Sequence, residues 1–160
     1  MRLAYPLYEE APLLQAHGDN ERIYARFGLK GHNGLDLGVY AGTPVLAMAD
    51  GIVRFAGDGF DEPIMGSAAG NCVLLDHGDF LTGYAHLTTA YGEPGFKVKA
   101  GDVIGVSGAT GAVSGDHLHI ELIQVPLELS NGYMGRIDPL PYFKRGTPLY
   151  VPPSREKAPL

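Results

Sequence analysis

The chain carries a single cysteine, Cys72, among 160 residues. An internal disulfide framework and a thiolate zinc site are therefore excluded, and any bound metal must rest on histidines and carboxylates. Long apolar runs are also missing, since nothing approaches the ~18 residues of a membrane span. Glu9 and Glu10 stand where a signal peptide would carry its apolar centre. Neither a membrane span nor a signal peptide is expected, and the chain should be soluble. Lys and Arg total 12 against 18 Asp and Glu, a net charge of -6, and they form no cluster that could neutralise a phosphate backbone. Nucleic acid is thus not an expected partner. What abounds is Gly, at 23, and Pro, at 12, which interrupt helices and punctuate short strands. With 45% hydrophobic and 19% charged residues the chain is no disordered acidic polymer. A chain of this size is expected to fold around one core that removes roughly 70% of its unfolded surface from water.

Short apolar runs recur from Thr43 onward, at 44–49, 52–56, 72–76, 80–86, 97–99, 103–106 and 117–123. Gly, Asp or Asn bounds nearly all of them, which predicts a mostly β domain with tight turns and little helix. Residues 1–30 show no sustained helical period and read as mostly irregular. The segment 57–70, GDGFDEPIMGSAAG, is long enough to shape the rim of a cleft or to form a mobile surface loop. A second loop is expected over 126–136, and the tail at 152–160 is expected to fray. AGTPVLAMADG from Ala41 and KVKAGDVIG from Lys97 repeat one idea, an Ala-Gly before a short apolar strand. They resemble the duplicated hybrid motif of barrel-sandwich proteins, which include lipoyl and biotinyl carriers, a sugar-phosphotransferase domain and zinc peptidases. That fold alone leaves function open.

Three of the places where the six histidines fall carry chemistry. In Gly31-His32-Asn33-Gly34-Leu35-Asp36 the two glycines disfavour a helix, so a turn or an extended loop running into a strand must bring His32 and Asp36 together. In HLHIEL, strand alternation puts His117, His119 and Glu121 on one face and Leu118, Ile120 and Leu122 on the other. In GYAHL the same alternation puts Tyr84 and His86 on a common face. Two imidazoles and a carboxylate make a three-ligand zinc set with an open fourth position, and two further histidines remain for proton transfer. His17 and His77 are not needed, and Asp76-His77-Gly78 reads as a turn between strands.

These stretches resemble the lysostaphin-type, LytM-like zinc metallopeptidases, which cut peptides in bacterial cell walls. The matching segments are GHNGLDL from Gly31, AGTPVLAMADGIVRFAG from Ala41, GYAHL from Gly83, VKAGDVIGVSGATG from Val98, SGDHLHIEL from Ser114 and DPLPYF from Asp138. They span about 26–143 in the family's order. The resemblance implies one zinc per chain held by His32, Asp36 and His119, with His86 and His117 as catalytic histidines. It implies a mostly antiparallel β-sheet with the metal on the floor of a groove, hydrolysis of stem or cross-bridge peptide bonds in peptidoglycan, and a monomer. A single peptidase domain over 1–150 and a tail over 151–160 are expected.

Two departures stand out. Asp116 takes the place of the family's common Pro before the H-x-H pair and puts a negative charge beside His117. The 57–70 loop is richer in acids and apolar residues than the short loop often found there. The resemblance also implies a Tyr or other polar group before the first ligand that stabilises the oxyanion, here Tyr24 or Arg26, and Glu121 either orients an imidazole or is a surface residue of an edge strand. The alternative function is that of a non-catalytic activator of another wall hydrolase, which would be expected to lack some of the five site residues. A phosphotransferase domain needs no His32/Asp36 pair, and a lipoyl carrier needs a lysine at a hairpin tip, which Lys97 and Lys99 only flank. Action at the cell wall without a signal peptide leaves a phage-encoded, endolysin-like or virion-associated enzyme, which is expected, or a piece of a longer exported precursor.

Overall fold

Among the described residues, glycines and acidic turns cut the chain into ten short strands, the longest of 11 residues. The structure, a computed structural model, describes residues 1–144; the 150/151 boundary and the tail lie outside the described residues. The strands are β1 (Leu13–Gln15), β2 (Leu35–Leu37), β3 (Pro44–Leu46), β4 (Gly51–Asp58), β5 (Asn71–Asp76), β6 (Phe80–Ala90), β7 (Lys97–Val98), β8 (Val103–Ser107), β9 (Leu118–Gln124) and β10 (Arg136–Ile137). All strand pairs are antiparallel, in the order β1-β2-β9-β6-β5-β4-β7, with β10 beside β9 and with β8 joining β6 to β3. The one α-helix among the described residues, α1 (Glu21–Tyr24), has four residues. Among the described residues no helix is long and apolar enough to cross a membrane.

The expected runs all become strands, and the two repeated segments supply β3 and β8, which pair through Pro44↔Val106 and Val45↔Gly105. Residues 1–30 hold more structure than their pattern shows. β1 pairs with β2, and α1 continues into a 3₁₀ turn over Ala25–Phe27. The main core also draws on Leu3, Tyr5, Leu7, Ala11 and Leu13, ahead of the stretch that the motifs span. Arg136, expected to close a loop, opens β10 and pairs with Ile123.

The sheet buries both faces of β9. Leu118, Ile120 and Leu122 enter the main core, each fully buried and worth about 1.5–3 kcal/mol. On the opposite face Ile123 joins a smaller cluster with Cys72, Leu74, Leu81 and Ala85. β6 divides its pairing: residues 80–85 pair with β9 and residues 87–90 with β8. The sheet splits at His86, and the candidate site opens there.

Candidate metal centre

β2 and β9 lie in register with Asp36 opposite His119, so a carboxylate and an imidazole meet across one pair of strands. His32 arrives from the turn before β2. That turn fits only because its glycines have no side chain: a Cβ on Gly31 would fall 2.2 Å from the Gly18 oxygen, and one on Gly34 would fall 2.2 Å from the Ile120 oxygen. The result is a tight triangle. His119 Nδ1 lies 2.8 Å from Asp36 Oδ1 and 3.1 Å from His32 Nε2, and His32 Nε2 lies 3.2 Å from Asp36 Oδ1. Zinc–ligand bonds near 2.0–2.1 Å set tetrahedral ligand separations of about 3.3 Å, so three donors at this spacing suit one small cation.

The outer hydrogen bonds of the triangle decide what its inner atoms can do. His32 Nδ1 lies 3.3 Å from the Ala16 carbonyl and must donate to it, which leaves a lone pair on Nε2. His119 Nε2 lies 3.2 Å from Glu121 Oε1 and donates there, which leaves a lone pair on Nδ1. With both rings neutral, those two lone pairs and the Asp36 carboxylate converge with no proton between them, and either a proton on His119 Nδ1 or a cation must relieve them. Burial opposes ionisation of Asp36, but the two imidazoles against Oδ1 outweigh it and hold the carboxyl below the usual carboxylate range. Burial likewise opposes charge on His119, yet Asp36 and Glu121 outweigh it and raise its pKa to about 9. Both shifts express one demand for positive charge, which a divalent cation meets while leaving each outer hydrogen bond intact.

The other two expected histidines face the same cleft. His86 reaches it by a route that simple alternation misses. Tyr84 is fully buried in the main core and donates nothing to the cleft, whereas Ala85 and His86 both line it. A bulge opposite Cys72 and a left-handed backbone at His86, φ 62°, turn the imidazole out of the core. The expected common face for Tyr84 and His86 is thus overturned. His86 Nδ1 donates to the Thr110 carbonyl at 2.9 Å and His117 Nδ1 to the Gly115 carbonyl at 3.0 Å. The Nε2 atom of each is left with a lone pair. His117 Nε2 lies 3.7 Å from Asp36 Oδ1, and the His86 and His117 ring centres are 4.7 Å apart. Burial, then the neighbouring His119 and His117, lower the His86 pKa to about 4, so this imidazole is neutral at neutral pH.

The cleft holds about 460 Å³. The α1 segment forms one wall with Tyr24, Arg26 and Phe27, and the 57–70 loop forms another with Met65, Ala68 and Ala69, as a rim loop. Tyr24 lies 5.5 Å from His32 between ring centres and accepts a 2.7 Å bond from Gln15 Nε2. Asp116, expected to act on His117, instead accepts the Ala41 N–H at 2.9 Å and so retains a turn-forming role. His17 packs against Tyr133, and His77 bonds Asp50 and Thr82, both outside the cleft lining. Glu121 is buried in a central strand, not on an edge: its Oε2 accepts Arg136 Nε at 2.7 Å and its Oε1 accepts Asn33 Nδ2 at 3.1 Å. Arg136 and Asn33 carried no sequence signal beyond their closeness to motif residues.

The sequence profile described as Peptidase family M23 matches residues 30–133. The chain is 43% identical over 93 residues to the peptidoglycan DD-endopeptidase ShyA of Vibrio cholerae, covering 58% of this chain and 20% of that protein. It is 36% identical over 118 residues to an uncharacterized metalloprotease of Haemophilus influenzae, covering 73% and 24%. The chain therefore spans about a fifth to a quarter of the length of these relatives. Among solved structures, the catalytic domain of lysostaphin from Staphylococcus simulans superposes with a TM-score of 0.60 at 27% identity, over 86% of this chain and 90% of that one. A zinc containing peptidase from Vibrio cholerae superposes at 0.66 and 26% identity, over 84% and 37%. The mostly antiparallel sheet is the fold that these peptidases share. On the extent of the profile match, the chain belongs to peptidase family M23.

Proposed function

We propose that this chain is a zinc-dependent endopeptidase that hydrolyses peptide bonds in the stem or cross-bridge of bacterial peptidoglycan, acting at the cell wall outside the cytoplasmic membrane. The observation that carries the reading is the convergence of three ligand atoms, from His32, Asp36 and His119, beside two imidazoles whose Nδ1 atoms are bonded to carbonyls and whose Nε2 atoms face the cleft. His32, Asp36 and His119 would hold one zinc per chain. Bound there, the ion supplies Lewis acidity, which acidifies water and polarises a carbonyl at neutral pH.

The remaining work falls to the chain's own groups. His86 and His117 each present an Nε2 lone pair to the cleft while the carbonyls of Thr110 and Gly115 fix their Nδ1 protons. One takes a proton from the attacking water at Nε2 and returns it to the leaving amine, and the other steadies the negative charge that forms between those events once its own Nε2 has taken up a proton and can donate. The Tyr24 hydroxyl accepts from Gln15, so its own proton is free to point at the developing oxyanion. An open cleft walled by small residues such as Ala68, Ala69 and Ala112 suits a substrate of Gly and D-Ala, gripped by its backbone. The relative named as a peptidoglycan DD-endopeptidase supports this substrate class.

The test is digestion of purified walls of differing cross-bridge chemistry, with new termini identified by mass spectrometry. New amino termini on cross-link residues are expected. His86→Ala and His117→Ala should keep their zinc and lose about two to four orders of magnitude in rate. New reducing sugar ends would replace the peptidase reading with a glycosidase. No release from any wall by zinc-loaded protein would favour an activator of another hydrolase, and near-normal rates in both variants would remove the two histidines from the mechanism.

A further inference from the structure

Arg136 makes three hydrogen bonds from inside the protein, at 6% exposure, to β9, to the rim loop and to its own segment. Its Nε donates to Glu121 Oε2 on β9 at 2.7 Å, its Nη1 to the Met134 carbonyl at 2.8 Å, and its Nη2 to the Ile64 carbonyl of the rim loop. Glu121, 4% exposed, spends its other oxygen on His119 Nε2 and Asn33 Nδ2. A continuous path thus runs from the Ile64 carbonyl through Arg136 and Glu121 to His119. A planar guanidinium can hold three acceptors in fixed directions, whereas an ammonium acts as a point charge.

A buried ion pair is often replaceable by apolar residues without loss of stability, so stability alone gives no reason for this one. Orientation does. The carboxylate must be aimed at His119 Nε2 for the ring to present Nδ1 to His32 and Asp36. We propose that Arg136 is a positioning residue which orients His119 through Glu121 and ties the metal centre to the 57–70 rim through the Ile64 carbonyl. The proposal rests on the zinc-peptidase reading above. It gives the longer 126–136 segment a role, because that segment delivers Arg136 to the start of β10.

The experiment measures zinc dissociation constants by competition with a chromophoric chelator. The proteins are the unchanged chain, Glu121→Gln, Arg136→Met, Arg136→Lys and the double variant Glu121→Gln/Arg136→Met, with folding followed by near-ultraviolet circular dichroism. Arg136→Met should weaken zinc binding about 10- to 100-fold, and Arg136→Lys should recover part of the loss. The double variant should bind no more weakly than the worse single one, because Arg136 acts through Glu121. Hydrogen exchange over 62–69 should quicken in Arg136→Met and stay unchanged in Glu121→Gln. A folded Arg136→Met that binds zinc like the unchanged chain, or losses that multiply in the double variant, would overturn the proposal. Should Arg136→Met not fold, unchanged zinc affinity in both Arg136→Lys and Glu121→Gln overturns it equally. An unchanged chain that binds no zinc would instead strike down the metallopeptidase reading, and this proposal with it.

Discussion

His86 sits in the left-handed region at φ 62°, in the middle of a strand pair, and its replacement separates backbone strain from chemistry. An L-residue in that conformation carries a cost of roughly 1–2 kcal/mol, from which glycine is free. His86→Ala and His86→Gly both delete the imidazole and its 2.9 Å bond to Thr110. Their difference therefore reports the backbone alone. At an ordinary strand position alanine would be the more stable by about 0.5–1 kcal/mol. Here the order should reverse, with His86→Gly more stable than His86→Ala by about 1 kcal/mol, or roughly 2–4 °C in Tm for a chain of this size. The assay is thermal unfolding of both variants after removal of metal by chelation, so that ligand binding does not mask the difference. An alanine variant as stable as the glycine variant would refute the reasoning, since it would mean that the strand relaxes to negative φ once the ring is gone.

Two further expectations follow from the same geometry. Gly34→Ala would place a Cβ 2.2 Å from the Ile120 oxygen and 2.7 Å from the His119 ring, where contact needs about 3.4 Å, so β2 must move away from β9. A loss of about 3 kcal/mol is expected in chemical denaturation, together with weakened zinc binding, and a variant within about 1 kcal/mol of the unchanged chain would contradict the close approach. Cys72 is fully buried, and burial, followed by the charges of Glu62, Glu121 and Asp58, raises its thiol pKa to about 12. It should resist alkylation in the native state and react on unfolding. Because the folded pKa lies above the ordinary 9.0, its contribution is intact below about pH 9 and fades as pH rises toward 12. Rapid native labelling at neutral pH would contradict this.

The parts of the site that a linear pattern can encode were legible. HLHIEL alternates over a regular strand, so the division between Leu118, Ile120 and Leu122 on the core side and His119 and Glu121 on the cleft side follows from pleating alone. Gly31 and Gly34 announced a turn, and their close approaches to Gly18 and Ile120 show why only glycine serves there. The orientation of His86 was not legible, because a bulge shifts alternation by one residue and leaves no mark in the sequence when the left-handed residue is a histidine. β1 and α1 were missed for another reason. Three residues show too little alternation to be recognised, and a four-residue helix lies far below the length at which helices hold by themselves, so tertiary contacts decide both. The Glu121–Arg136 pair joins residues across a long loop, and nothing local in either segment names its partner.

The irregularities converge on one place. Were β6 to keep its alternation, His86 would follow Tyr84 into the main core, and a buried imidazole there would need partners that an apolar cluster does not supply. The bulge removes that conflict and at the same point lets β6 pass from β9 to β8, so the sheet opens where His86 meets His117. The ordinary half of β6 does the opposite work. Through Ala85↔His119 it holds β9 in register, and β9 in turn holds Asp36 opposite His119. One strand thus fixes the His32–Asp36–His119 triangle with its regular part and aims an imidazole into the cleft with its irregular part. The local strain at His86 is tolerable because paired residues flank it, Ala85 opposite His119 and Leu87 opposite Asn71 and Ser107.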